Sequence, residues 1–157
     1  MEETARQPDD FASAFEAAFA ELQVRIESAC LAEAEWPAKV AAGIRAAFEW
    51  AAAEPTAAGT LTNDALASGS EGFARYERLV AYAAGLFGPG RTEVDHGERL
   101  PEITERAMAS GVATIVAQRL SSGREDELPE LAAEATQFVL TPYLGTNEAR
   151  RVARKLG

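Results

Sequence analysis

The stretch WPAKVAAGIRAAFEWAAAEP, from Trp36 to Pro55, constrains the fold more than any other part of the chain. Its apolar residues Trp36, Val40, Ile44, Phe48 and Ala51 step by four, four, four and three, and Trp50 returns to the same side. That is the period of a helix and not of a strand. Pro37 suits a first turn, where its missing N–H costs nothing, and Glu54 before Pro55 is biased out of the helical region. Between these limits the surface is mostly alanine, with Lys39, Arg45 and Glu49 as the only charges. Neighbours are therefore expected to press close from several directions, which makes this the inner helix.

Helical spacing recurs along the rest of the chain. Residues 1 to 8 read as a flexible lead-in, so the folded domain is expected over 9–157. Asp9 or Asp10 can cap a helix whose stripe is Phe11, Phe15, Phe19, Leu22, Ile26 and Cys30. Pro55 to Leu66 reads as one short helix and a turn. Ser68 and Glu71 match a capping box, followed by Phe73, Tyr76, Val80, Ala83 and Phe87 on one face, with Arg75, Arg78 and Tyr82 on the other. Gly88-Pro89-Gly90 is expected to end that helix, and the polar stretch through Gly97 to form a loop around a solvated His96.

A helix from about Glu98 to Ser121 has an uncharged middle, Ala107 to Ala117, with apolar side chains all round its axis. Such a helix needs cover on every side, which a domain this small supplies on one face only; a partner chain is expected on the other. Gly111 would let the backbones approach. A helix from Asp126 to Leu140 stopped by Pro142, and a short last helix capped by Thr146, complete the pattern. No strand-like alternation or internal repeat occurs, so the fold class is all-α, a compact bundle of six or seven helices.

Composition excludes several functions. A net charge of −10 over 157 residues argues against direct binding of nucleic acid, which needs a basic surface. The basic run Arg150, Arg151, Arg154 and Lys155 matches the C-terminal end of a helix dipole. No window holds the roughly 20 uninterrupted apolar residues of a membrane span, and the start carries no targeting signal, so the cytoplasm is expected. Cys30 is the only cysteine and His96 the only histidine, so neither an internal disulfide nor a cysteine-built or paired-His metal site can be built. No P-loop, dinucleotide or nucleophile-elbow motif is present. No catalytic residue, metal or cofactor is expected, and the chain reads as a non-enzyme. What remains is an aromatic and aliphatic set that serves as core and can also line a cavity between helices, with Tyr76, Thr114 and Gln118 as polar groups within reach.

Three stretches in order, Trp36 to Trp50 with Ala53-Glu54-Pro55, then Gly111-Val112-Ala113, then LTPYLGTNEA at Leu140 to Ala149, span nearly the whole chain. Their set resembles the C-terminal ligand-binding and dimerisation domain of the TetR/AcrR family of transcriptional regulators. The resemblance implies a small apolar or amphipathic effector held by Phe19, Leu22, Ile26, Ile44, Phe48, Tyr76, Val80 and Met108. It also implies a homodimer built on a two-fold, four-helix interface that includes Gly111, Ile115, Gln118, Leu131, Ala135 and Phe138. DNA would be reached only through a helix-turn-helix domain, which MEETARQPDD does not supply. The alternative function is a domain-only interaction protein that pairs with full-length regulators and binds no ligand.

Overall fold

In the computed structural model, which describes residues 8–155, the first two helices are α1 (Pro8–Leu31) and α2 (Trp36–Ala53). The Cys30 thiol lies beside the Lys39 carbonyl and Ile26 beside Gly43, so the two run antiparallel. α3 (Pro55–Gly59) continues directly into a π-helical turn, Thr60–Asp64. Next come α4 (Gly69–Phe87), an isolated helical turn at Gly90–Glu93, α5 (Thr104–Ser121), α6 (Leu128–Leu144) and α7 (Thr146–Arg154). The described residues thus form an all-α bundle of seven helices, without strands. None of these helices is long and apolar enough to cross a membrane.

α2 is the inner helix that its period predicts. It packs along α1 on one side and α6 on the other, and Trp36, Val40, Ile44, Phe48, Trp50 and Ala51 are all buried. Phe15, Phe48, Leu61, Leu128, Leu140 and Tyr143 form the fully covered centre of the core. At the start of α2 the Trp36 ring meets Tyr143 edge-on, 5.2 Å between centroids. Gly90 is wedged there: a Cβ on it would come within 2.5 Å of Trp36 and 2.6 Å of Tyr143. α4 packs on α5, whereas long side chains carry its ties to α1. Arg78 pairs with Glu16, Arg78 and Arg75 lie over Phe19 and Phe11, and Tyr82 meets Phe19 edge-on at 5.6 Å.

Several boundaries differ from expectation. Most of the expected lead-in, residues 1–7, lies outside the described residues, and the chain is already helical at Pro8, so Asp9 and Asp10 lie within α1 instead of capping it. The Ser68 capping box is not made, because the Ser68 hydroxyl turns back to the Asp64 carbonyl. Phe73 is exposed, and the face with Arg75, Arg78 and Tyr82 is the one that meets α1. Gly88-Pro89-Gly90 ends α4 without opening a long loop, since Gly88 and Pro89 stay in right-handed helical geometry and lead into the next turn. α5 begins at Thr104 and not near Glu98, because Pro101 intervenes and Thr104 bonds to its carbonyl.

Pro142 does not stop α6. It deprives only the Phe138 carbonyl of a helical donor this close to the end, and the helix runs on to Leu144. Gly145, at φ +80°, ends it and occupies the cap position that Thr146 was expected to take. His96 is exposed yet not merely solvated: its Nε2 lies 3.0 Å from the Pro142 carbonyl oxygen.

Candidate functional site: an apolar cleft between four helices

Where α4 is bridged to α1 and α2 by long side chains, the backbones leave room. Two adjoining chambers fill that space. The inner one, about 100 Å³, lies between α1, α2, the π turn, α4 and α5. The outer one, about 230 Å³, extends along α2 towards Trp36 and Pro89. Ile26, Ala47, Ala83 and Val112 border both. Their walls are aliphatic and aromatic, and alanine is what makes the space: Ala47, Ala51, Ala58, Ala83, Ala109 and Ala113 stand where larger side chains would close it. The alanine surface of α2 therefore has two uses, close packing at Ala41 and an open wall at Ala47 and Ala51.

The polar groups in these walls are few and mostly engaged. Thr62 donates its hydroxyl proton to the Ala58 carbonyl at 2.9 Å. The Tyr82 hydroxyl faces Glu27 at 3.5 Å, and burial, with that carboxylate second, pushes its pKa up to about 12. In the outer chamber the Trp36 indole N–H donates to the Leu86 carbonyl at 3.2 Å. Lys39 Nζ donates to the Cys30 carbonyl at 2.9 Å, so it serves the end of α1. Trp50 differs from these: its side chain is in the inner wall, it is 5% exposed, and its buried Nε1–H has no acceptor.

The expected ligand residues divide in two. Leu22, Ile26, Phe48 and Val80 line the inner chamber and Ile44 the outer one. Phe19, Tyr76 and Met108 do not reach either. Phe19 is buried against Tyr82, Tyr76 is buried with its hydroxyl facing Thr114, and Met108 packs half-buried on the core. Lining residues that were not among the expected ligand contacts include Trp50, Leu61, Leu79, Val112 and Val116. The last two lie on α5, read from sequence as an interface helix, whose inner side is a cleft wall.

Of the expected interface residues, Phe138 is 44% exposed and Gln118 is exposed, while Gly111, Ile115 and Leu131 are half-covered. Gly111 lies against the Phe138 ring, where a Cβ would approach to 3.2 Å. Ala135 is 3% exposed in the single chain, so its own fold already covers it and its side chain has no surface to offer a partner.

No protein family, characterised protein or solved structure matches this chain. Among the described residues no group of three or more His, Cys, Asp or Glu side chains is placed to hold a metal ion.

Proposed function

We propose that this domain is the effector-binding and dimerisation part of a TetR-like transcriptional regulator, and that it senses a small apolar or amphipathic molecule in the cleft between α1, α2, α4 and α5. The observation that carries the proposal is the placement of α5. One side of it, through Val112, Ala113 and Val116, walls the cleft, while Gly111 lies against the half-exposed Phe138 of α6. A molecule that widens the cleft would move the helix that also frames this outer surface. In a regulator of this kind that movement would alter the spacing of DNA-reading heads carried elsewhere.

The outer chamber exceeds the roughly 150 Å³ at which an apolar protein cavity admits benzene. Ala83 borders both chambers, so Ala83→Leu fills them together. Toluene is expected to shift the methyl resonances of Leu22 and Val80 in the natural protein and not in this variant, with the subunit count unchanged. Equal shifts in both proteins would place binding elsewhere.

The inner chamber alone, at about 100 Å³, is smaller than ordinary ligand pockets of roughly 300–1,000 Å³. That favours a second reading, a filled interaction module that pairs with related regulators. Absence of any toluene response in the natural protein, together with hetero-association with a full-length relative, would favour it.

A further inference from the structure

The two chambers differ in their access to water. Of the described residues that line them, only Gly85 and Pro89 are exposed, and both border the outer chamber. They mark a mouth, unobstructed at Gly85, where an added Cβ would meet nothing within 4 Å. No residue around the inner chamber is exposed, and Phe48, Leu61 and Val80 in its wall are at most 1% exposed.

Inside, the wall has little left to solvate a polar group. The Thr62 hydroxyl proton goes to the Ala58 carbonyl, and the Tyr82 hydroxyl turns to the exposed Glu27. The Trp50 indole N–H lacks an acceptor, but its nitrogen is covered and presents no surface to a guest. The surface of the inner chamber is almost wholly carbon. A hydroxyl or carbonyl carried there gives up water without gaining a partner, whereas the same group at the mouth keeps its water. Resting on the ligand-binding reading above, we infer that the cleft takes a hydrocarbon with at most one polar group, held at the mouth beside Gly85 and Pro89, and an unsubstituted end in the inner chamber. The outer chamber, about 230 Å³, takes one ring, and the inner, about 100 Å³, a methyl or short alkyl end. Molecules of that size with polar groups at both ends are rejected by chemistry and not by shape.

Three compounds of one shape test this without any variant. In p-xylene both ends of the ring carry methyl groups, in p-cresol one is a hydroxyl, and in hydroquinone both are. Each is titrated, under argon, into the natural protein while the methyl resonances of Leu22 and Val80 are followed. p-Xylene and p-cresol are expected to bind, and cross-relaxation should place the cresol methyl group, not its hydroxyl end, against Leu22 and Val80. Hydroquinone must carry one hydroxyl inwards whichever way it lies, and should bind at least about tenfold more weakly than p-cresol, the usual effect of one buried polar group left without a partner.

Equal affinities of p-cresol and hydroquinone, with both shifting the Leu22 and Val80 methyls, would overturn the limit on polarity and leave the cleft as a ligand site. So would a cresol hydroxyl found at the inner end. Binding of p-xylene alone would overturn the polar mouth. No shift of those methyls with any of the three would overturn this inference and the ligand-binding reading together.

Discussion

Arg91 shows how much a single side chain can organise. It lies in the turn after α4, and its guanidinium reaches the Glu105 carboxylate through Nε and Nη2 and the carbonyls of Gly97, Leu100 and Pro101. A segment that composition reads as an open loop is thereby folded onto the start of α5. Gly97 is needed for that approach, since a Cβ there would collide with the Arg91 carbonyl. The hydrogen bond from Arg91 holds the Glu105 carboxyl below its ordinary value of 4.5. A depressed carboxyl contributes stability that is fully present above its unfolded pKa and is lost as pH falls through the folded one. The urea midpoint of the natural protein should therefore drop on acidification below pH 4.5, and Glu105→Gln should start lower at neutral pH and show a shallower acid decline. Parallel acid profiles for the two proteins would mean that this pair carries none of the dependence. In the sequence the eye goes to His96, as the only histidine, and passes over Arg91; a cation in a glycine-rich stretch has no periodic signature, and its partners lie up to 14 residues away.

At the scale of elements, α2 was legible because its core contacts repeat every three or four residues over five turns, and such a run admits one conformation. The π turn at Thr60–Asp64 was not. It inserts one residue into a helix without interrupting it, which leaves composition unchanged and only shifts the register of the residues after it. Locally it is held by Thr60 and Thr62, whose hydroxyls bond back to the Thr56 and Ala58 carbonyls. At longer range Asn63 Nδ2 donates to the Ala117 carbonyl of α5 at 3.0 Å, and Leu61 and Thr62 face the inner chamber. Asn63→Ala should cost about 1 kcal/mol in urea denaturation, the usual worth of one such bond. Amide exchange should quicken in the π turn and around Ala117 but not in the α1–α2 hairpin. Uniformly faster exchange would show that Asn63 acts on the whole fold and not on this joint. The cleft was half legible for a related reason. Large residues such as Leu22, Ile44 and Phe48 announce a core face, but whether a core contains space depends on where alanines from four helices converge, which no single helix displays.

At the scale of the molecule, the outer faces of α5 and α6 matter most. From its sequence, Ala107 to Ala117 is expected to exceed what one small domain can cover. In the single chain Ala109 and Ala117 are buried, while Ala107 and Thr114 are exposed and Ile115 is half-covered. Phe138 stands beside Gly111 with 44% of its surface open, in contrast to Val139 and Leu140, which are fully buried. A glycine that admits an aromatic ring at the surface is of little use to the isolated fold, because half the ring still meets water. It is of use if a second copy covers that ring, and a two-fold interface would bring two such rings together. Phe138→Glu isolates the point. Since the ring is half outside the core, the variant should lose at most about 1–2 kcal/mol of chain stability, yet sedimentation should change from twice the mass of one chain to once. A natural protein that sediments as one chain would remove the dimer from the proposal and leave the cleft. Where the dimer is found, α5 ties the two together, because its Val112, Ala113 and Val116 wall the cleft. With one cleft in each subunit, linkage then requires that the factor by which saturating ligand changes dimer dissociation equal the square of the factor by which dimerisation changes ligand affinity at each site. The monomeric Phe138→Glu protein measures the second factor and dilution of the natural protein, with and without toluene, measures the first; a ligand affinity identical in both proteins would mean that α5 transmits nothing.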